Sequence, residues 1–278
     1  MKIKILIIIF GLSLFCEFVL AGETAQEYHK RGRAYRLKGE YDKAIADISR
    51  AIEIQPDFSR AYNNRGLTYK EKGEYDKALA DFIKALDIDP KYANAYYNRG
   101  VIYHKKGEYD KAIADYDQAI GFNQKFVSAY TDRGNAYACK GEYPKAIADY
   151  ERALKLDPKY APTYAGRGFT YCNTGKYDEA IADFTRALKI NPDDVESCCK
   201  RGIAYGGKEE YDKAVADFFR ALKINPNYAE AYYNRGVAYY YKGEYDKVWK
   251  DVHKVESMGY KVDPGFRADL IKASGRDK

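Results

Sequence analysis

Residue types on which many enzymes depend are scarce in this chain. Its 278 residues include three histidines, at positions 29, 104 and 253, one tryptophan and two methionines. The 8 prolines and 22 glycines exclude proline-rich and collagen-like classes. The sequence contains no glycine-rich phosphate loop, no H-E-x-x-H zinc motif and no G-x-S-x-G nucleophile elbow. Because histidine is the usual metal ligand and acid–base group, we predict no metal site, no cofactor and no enzymatic activity.

The first 21 residues have the order of a secretory signal peptide. Lys2 and Lys4 precede an apolar run over 5–16, and Ala21 completes a small-residue cleavage site before Gly22. One alternative is a retained membrane anchor, although the run of about a dozen residues is shorter than the ~20 that a spanning helix needs. The other is a lipoprotein at Cys16, for which bulky Phe15 is unsuited. We therefore predict a signal peptide over 1–21 and residence outside the cytoplasm.

Export has consequences for location, charge and cysteine chemistry. A bacterial periplasm is the preferred compartment, with a eukaryotic secretory route left open, and we expect no membrane span after signal removal. Cleavage takes away two lysines and one glutamate, which lowers the net charge from +6 to +5. The remaining cysteines show neither a disulfide framework nor a C-x-x-C pair, so we interpret them as small buried apolar residues: Cys139, Cys172, Cys198 and Cys199.

Tyrosine is abundant, and its spacing reveals an internal repeat. Arg-Gly recurs every 34 residues, at 31, 65, 99, 133, 167, 201 and 235. With Ala25 as repeat position 1, seven repeats fill 25–262: 25–58, 59–92, 93–126, 127–160, 161–194, 195–228 and 229–262. Tyrosine occupies positions 11 and 17 in all seven repeats and position 4 in six, which accounts for 20 of the 30 tyrosines. A fixed period of this length is typical of a helical repeat protein.

Each repeat has the pattern of two helices. Tyr62, Gly66 and Tyr69 share one face of a first helix, and Gly73 suits the left-handed residue that ends it. Apolar residues at helical spacing then predict a second helix from about Asp76, which a proline ends.

This pattern resembles the tetratricopeptide repeat. The residues that carry the resemblance in the second repeat are Tyr62, Gly66, Tyr69, Ala78, Phe82, Ala85 and Pro90. The resemblance implies an all-α, right-handed superhelical solenoid of helix-turn-helix repeats, in which the first helices line a concave peptide-binding groove. Residues 263–278 are expected to form a C-terminal capping helix and tail.

The repeats also differ at identifiable places. Gln124 stands where a proline ends most repeats. The sixth repeat has Gly206 and Gly207 within its first helix and Glu209 in place of the terminating glycine. Each glycine inside a helix costs about 1 kcal/mol relative to alanine. We therefore predict local softness over 196–209.

Arginine and aspartate recur together in every repeat, at positions 7 and 23. We expect each arginine to pair with an aspartate of its own or an adjacent repeat; a ladder of arginines for anionic ligands is the alternative. The residues are Arg31, Asp47, Arg65, Asp81, Arg99, Asp115, Arg133, Asp149, Arg167, Asp183, Arg201, Asp217, Arg235 and Asp251.

The groove that the resemblance implies would be rich in asparagine, tyrosine and charge. Asparagine amides suit a peptide backbone and tyrosine rings give rigid contact area. The candidate peptide-binding residues are Lys30, Arg33, Arg60, Asn63, Asn64, Lys70, Asn94, Tyr97, Asn98, Asn135, Tyr233, Asn234, Tyr240 and Tyr241.

Charge along this surface is uneven. Repeats one to three place Lys30, Arg33, Arg36, Arg60, Lys70 and Lys105 there against Glu71, a balance of +5. Repeats four to seven place Asp132, Glu196 and Glu230 against Lys200, a balance of −2. The N-terminal half is therefore predicted to attract an acidic segment, with a merely solvated face as the alternative.

The sequence as a whole favours an exported, non-catalytic scaffold that binds a protein or peptide. A self-assembling structural component of the cell envelope and a cell-wall or glycan-binding protein are the alternatives, the latter with Tyr240 and Tyr241 as stacking platforms. Nucleic acid is not an expected partner, because a net charge of +5 among alternating Glu and Lys makes no basic stripe. The oligomeric state and the partner stay open.

Overall fold

A computed structural model of the chain describes residues 23–275, and the predicted signal peptide lies outside the described residues. Within them the chain forms fifteen α-helices and no β-strand, which confirms the all-α prediction for this range. The helices are α1 (Ala25–Leu37), α2 (Tyr41–Ile54), α3 (Ser59–Glu71), α4 (Tyr75–Ile88), α5 (Ala93–Lys105), α6 (Tyr109–Phe122), α7 (Val127–Cys139), α8 (Tyr143–Leu156), α9 (Ala161–Asn173), α10 (Tyr177–Ile190), α11 (Val195–Gly207), α12 (Tyr211–Ile224), α13 (Ala229–Tyr241), α14 (Tyr245–Ser257) and α15 (Pro264–Ser274).

The helices fall into two compact units, which divide between Gln124 and Lys125. The first contains α1–α6 and the second contains α7–α15. In each unit a first helix packs on the second helix of its own pair, and that second helix packs on the next pair. This succession of helix pairs is the layout of a solenoid, in which each repeat contacts mainly its neighbours.

A glycine and an aromatic ring bring the two helices of a pair together. Phe82 of α4 is fully buried, and its ring lies where a β-carbon on Gly66 of α3 would come within 2.7 Å of it. Ala78, one turn before Phe82, is likewise fully buried. Small residues at these positions therefore let the helices approach closely enough for the ring to fill the space between them.

A left-handed residue ends the first helix of each pair. Gly73, with φ of +81°, lies just after α3, and the residue that follows it directly precedes α4. In the sixth pair the equivalent residue is Glu209, with φ of +63°. A side chain at positive φ is disfavoured by its β-carbon, so this turn carries a strain that the glycine turns lack.

The last helix covers the end of the second unit. Asp263 caps α15 by accepting a hydrogen bond from the Phe266 amide at 2.8 Å. Leu270 is fully buried in a cluster with Trp249 and Val252 of α14. The helix thus removes from water an apolar face that no further repeat covers.

Candidate functional site

Each of the seven arginines at repeat position 7 holds the aspartate sixteen residues later, within its own helix pair. Nε donates to Oδ2 and Nη2 to Oδ1 of the same carboxylate, at 2.6 to 2.9 Å. Aspartate side-chain exposure runs from 14% for Asp47 to 1% for Asp183. Because these guanidinium groups are engaged by internal carboxylates, the arginines serve the fold and do not form a ladder open to anionic ligands.

A second set of ion pairs joins neighbouring helix pairs. Lys72, at the end of α3, places its Nζ 2.6 Å from Oδ1 of Asp42 at the start of α2. The same bond recurs between Lys106 and Asp76, Lys208 and Asp178, and Lys242 and Asp212. Asp42 is 89% exposed, so the bonds contribute to register more than to stability.

The fifth repeat lacks this lysine, and the fourth lacks the matching aspartate. Thr174 stands at the lysine position and Pro144 at the aspartate position. The Thr174 hydroxyl instead donates to main-chain carbonyls of its own helix, those of Thr170 and Tyr171. Both members of one pair are thus replaced together.

The basic residues of the first unit have different environments. Arg36 is bound to Glu71 at 2.5 Å, and Lys105 lies 5.0 Å from the centre of the Tyr75 ring. Lys70 is half-buried. Lys30, Arg33 and Arg60 are exposed, and no carboxylate of residues 23–275 pairs with them. The positive charge open to a ligand therefore belongs to these last three residues.

Arg33 and Arg60 converge on a half-buried histidine. Burial lowers the pKa of His29, and the positive charges of Arg33 and Arg60 lower it further. A hydrogen bond to the main chain of Arg60 raises the pKa and so opposes this shift. The Asn64 amide donates to His29 Nε2 at 2.7 Å, which requires that nitrogen to be unprotonated. Burial, the two arginine charges and this hydrogen bond therefore all favour the neutral imidazole of His29.

A tyrosine hydroxyl completes this group. Burial raises the pKa of Tyr92, whereas Arg60 and Arg33 oppose the shift. We name the residues His29, Arg33, Arg60, Asn64 and Tyr92 the N-terminal cluster. Sequence reasoning had not singled out His29 or Tyr92. The signal was present in the repeat register, because Tyr92 directly precedes α5 and His29 shares one face of α1 with Arg33.

Two of the predicted groove asparagines are buried, which corrects their assignment as contact residues. Asn63 is 4% exposed and Asn98 is 7% exposed. The Asn98 amide donates to Asn63 Oδ1 at 2.9 Å, so the two side chains join α3 and α5. Asn94 remains exposed, and Tyr97 packs against the buried Tyr116 with ring centres 5.9 Å apart.

The asparagines of the second unit are also engaged internally. Asn135 accepts a hydrogen bond from the Tyr150 hydroxyl at 2.8 Å, and Asn234 donates to the Glu230 carbonyl at 2.9 Å. Each amide retains further hydrogen-bonding capacity, but its orientation is fixed by these partners.

The capping helix covers part of the predicted tyrosine surface. The Phe266 ring of α15 lies edge-on to Tyr233 and to Tyr240, with ring centres 5.8 and 5.6 Å apart. Tyr241 is 63% exposed and stacks on Tyr211 at 5.3 Å. Tyr233 and Tyr240 are therefore half-buried parts of an aromatic cluster, and Tyr241 offers the largest open surface of the three.

The cysteines are free thiols in different environments. Cys198 and Cys199 are fully buried, and burial raises the pKa of Cys199 to about 12 and that of Cys172 to about 11. Cys139 is exposed, so the interpretation of every cysteine as a buried apolar residue was wrong for this one. It is the last residue of α7, where the helix runs into the turn.

The succession of helix pairs with internal Arg–Asp bonds defines a helical repeat protein. Matches to family models give the family: a TPR repeat model matches 32–73, 68–107, 134–175 and 207–243, and a tetratricopeptide repeat model matches 93–126 and 161–194. The chain belongs to the tetratricopeptide repeat family. These repeats indicate a protein–protein interaction scaffold, a class that binds protein or peptide partners and is typically non-catalytic.

Solved structures of the same family resemble the chain. A tetratricopeptide repeat protein from Parabacteroides merdae ATCC 43184 is 24% identical over 92% of this chain and 100% of its own, with a TM-score of 0.69. YrrB, described as having an unusual peptide-binding site, is 27% identical over 66% of this chain and 95% of its own, with a TM-score of 0.50. PilW, a type IV pilus biogenesis factor, is 20% identical over 76% of this chain and 97% of its own, with a TM-score of 0.69. The first and third of these likenesses concern the fold alone.

The comparison with curated proteins gave no match. Among residues 23–275, every helix is too short or too polar to cross a membrane.

Proposed function

We propose that this protein is an exported, non-catalytic scaffold that binds an acidic segment of a partner protein at the N-terminal cluster. The observation that carries the proposal is that Arg33 and Arg60 are both exposed and without a carboxylate partner in the described part of the chain, beside His29. The Asn64 amide lies 2.7 Å from His29 Nε2 and 3.0 Å from the Arg60 carbonyl, which brings α1 and the start of α3 together at this point. Two unpaired guanidinium groups beside a hydroxyl form a binding site for a carboxylate.

The position of the cluster supports this proposal. Its charged side chains project from α1 and α3, the first helices of two successive pairs, and first helices form the peptide-binding surface that the family resemblance implies. YrrB, a relative of the same family, is described as having a peptide-binding site. Export is proposed from the sequence over 1–21, and its direct test is the N-terminal residue of the mature chain, which cleavage after Ala21 would make Gly22.

The binding proposal can be tested with two labelled peptides. One is a fluorescein-labelled decapeptide of alternating Asp and Ser, and the other has Asn at every Asp. Fluorescence anisotropy should give tighter binding of the Asp peptide, and added salt should weaken it. In the double variant Arg33→Glu/Arg60→Glu we expect its affinity to fall at least about tenfold, because two attractions become repulsions.

A matched control separates the cluster from overall charge. The variant Lys38→Glu/Lys84→Glu changes the net charge equally, at two exposed lysines outside the cluster, and should keep most of the affinity. Equal losses of affinity in the two double variants would mean that the peptide is held by long-range attraction to the net charge and not by the cluster. A cross-linked pull-down from the cell envelope, with wild-type protein and the Arg33→Glu/Arg60→Glu variant as baits, would then identify the partner.

The glycan-binding alternative needs open tyrosine faces and the self-assembly alternative needs an open end. Tyr240 is enclosed by Phe266, Tyr245 and Tyr241, which leaves Tyr241 as the larger exposed ring. Helix α15 covers the apolar face at the end of the second unit. Both alternatives therefore have less support than a protein partner.

A further inference from the structure

The first helix of the fifth repeat, α9, has a hollow in its surface. Where α1, α3, α5 and α13 carry lysine or asparagine at repeat position 6, α9 has Gly166, and the residue before it is Ala165. The resulting hollow has a volume of about 380 Å³ and lies between α7 and α11, within the second unit. We name it the α9 hollow, with Asn135, Ala165, Gly166, Phe169, Glu196 and Lys200 as its defining residues.

The floor of the α9 hollow is closed and partly apolar. A β-carbon on Gly166 would lie 2.6 Å from Asn135 Oδ1 and 3.1 Å from the Tyr150 ring, so neighbouring atoms already occupy that space. Phe169 is 43% exposed, and the buried Phe184 also lines the hollow. An exposed phenylalanine beside a small-residue floor offers contact area to an aliphatic chain.

The rim is acidic. Glu196, one helical turn before Lys200 on α11, has no ion-pair partner among residues 23–275. The charge of Lys200 is met by Glu230 at 2.7 Å. Asp194 also lines the hollow, where it caps α11 by accepting from the Glu196 amide at 3.2 Å. The hollow is thus lined by two carboxylates, those of Asp194 and Glu196, and by one ammonium group, that of Lys200, whose charge is offset by Glu230 outside the hollow.

We propose that the α9 hollow binds a lysine or arginine side chain of an extended protein segment. The aliphatic stem lies over Ala165 and Phe169, and the cationic head reaches the Glu196 carboxylate. The ammonium group of Lys200 already lies over the Phe169 ring, with Nζ 5.8 Å from its centre, so this ring contacts the stem and not the head. An acidic side chain would be repelled at this rim, and an uncharged one of equal length would leave Glu196 unpaired. The site is thus separate from the N-terminal cluster and opposite in preference.

The test uses three acetylated octapeptides of alanine and serine that differ at one central position, which is lysine, norleucine or glutamate. Norleucine matches the stem of lysine without its charge. In ¹⁵N NMR titrations of the whole protein, the lysine peptide should shift the amide signals of Gly166 and Phe169. It should bind about three- to fivefold more tightly than the norleucine peptide, as one exposed ion pair allows. The glutamate peptide should bind most weakly.

Two variants and a control locate the effect. Glu196→Gln should abolish the preference for lysine over norleucine, whereas Glu179→Gln, an exposed glutamate on α10 outside the hollow, should leave it unchanged. Ala165→Leu fills the hollow from its open side and should weaken both peptides. Absence of shifts at Gly166, equal binding of lysine and norleucine peptides, or a preference that survives Glu196→Gln would each overturn the proposal.

The same samples separate this site from the one under Proposed function. The Arg33→Glu/Arg60→Glu variant should bind the lysine peptide as wild type does, and Glu196→Gln should bind the alternating Asp peptide at least as well as wild type. Failure at one site therefore leaves the result at the other intact.

Discussion

Arg99 and Asp115 form a forked pair inside one helix pair, with Nε to Oδ2 at 2.8 Å and Nη2 to Oδ1 at 2.7 Å. The Asp115 side chain is 7% exposed and that of Arg99 is 21% exposed. The equivalent pair in the first repeat is more exposed to solvent, with side-chain exposures of 14% for Asp47 and 42% for Arg31. The same Arg–Asp ion pair thus occurs in this chain at two degrees of burial.

Removal of Asp115 should therefore cost more than removal of Asp47. Asp115→Ala leaves a half-buried guanidinium without its carboxylate, and we expect it to lower the free energy of unfolding by about 3 kcal/mol. Asp47→Ala frees an arginine that water already reaches, so its loss should be distinctly smaller. Urea unfolding followed by circular dichroism measures both. Equal losses would mean that burial does not set the value of the pair.

Two adjacent glycines of α11 should respond in opposite directions to alanine. A β-carbon on Gly206 meets nothing within 4 Å, so Gly206→Ala should stabilise the protein by about 0.5–1 kcal/mol through helix propensity. On Gly207 it would lie 2.5 Å from the Tyr177 ring, so Gly207→Ala must displace that ring and should destabilise. Thermal unfolding of the two variants makes the comparison, and a loss of stability in Gly206→Ala would contradict it.

The strained turn after α11 should make this part of the chain open more readily. Glu209 occupies the left-handed conformation that glycine holds in the equivalent turns, and Glu209→Gly should stabilise by about 1 kcal/mol. In hydrogen exchange, amides over 196–209 should exchange faster than their equivalents over 60–73, and Glu209→Gly should narrow the difference. Equally slow exchange in both segments of the wild-type protein would show that the turn is not a weak point.

His29 should report on ligand binding at the N-terminal cluster. Because burial and two arginines lower its pKa below the usual value of about 6.5, the stability it contributes is present above that pH and is lost as the pH falls. An acidic peptide between Arg33 and Arg60 would offset their charge and raise this pKa. A pH titration of the histidine ring protons by NMR, assigned with His29→Gln, measures the shift. An unchanged pKa with the peptide bound would place the peptide elsewhere.

The 34-residue period allowed the helix pairs and the Arg–Asp ion pairs to be predicted, because the residues that form a contact within one repeat recur seven times in the sequence. Contacts that occur once are not repeated in the pattern. The bond between Asn63 and Asn98 depends on which residues two neighbouring helices happen to carry, and it buries both amides. The cover that Phe266 places over Tyr233 and Tyr240 comes from outside the repeats. Exposure of a groove residue is therefore decided by its neighbours, which a repeat position alone does not specify.

Because Pro144 and Thr174 replace both members of one inter-repeat ion pair, two deletions of equal length should differ in their effect on the remaining pairs. Deletion of 127–160 would remove Pro144 but keep Thr174, which would then follow a repeat that offers Asp110. Deletion of 141–174 also removes 34 residues, but it takes out both Pro144 and Thr174. Every remaining lysine position of these inter-repeat bonds then holds a lysine, and every remaining aspartate position holds an aspartate. A shortened protein should therefore tolerate the second cut better, because that cut removes both replaced positions together.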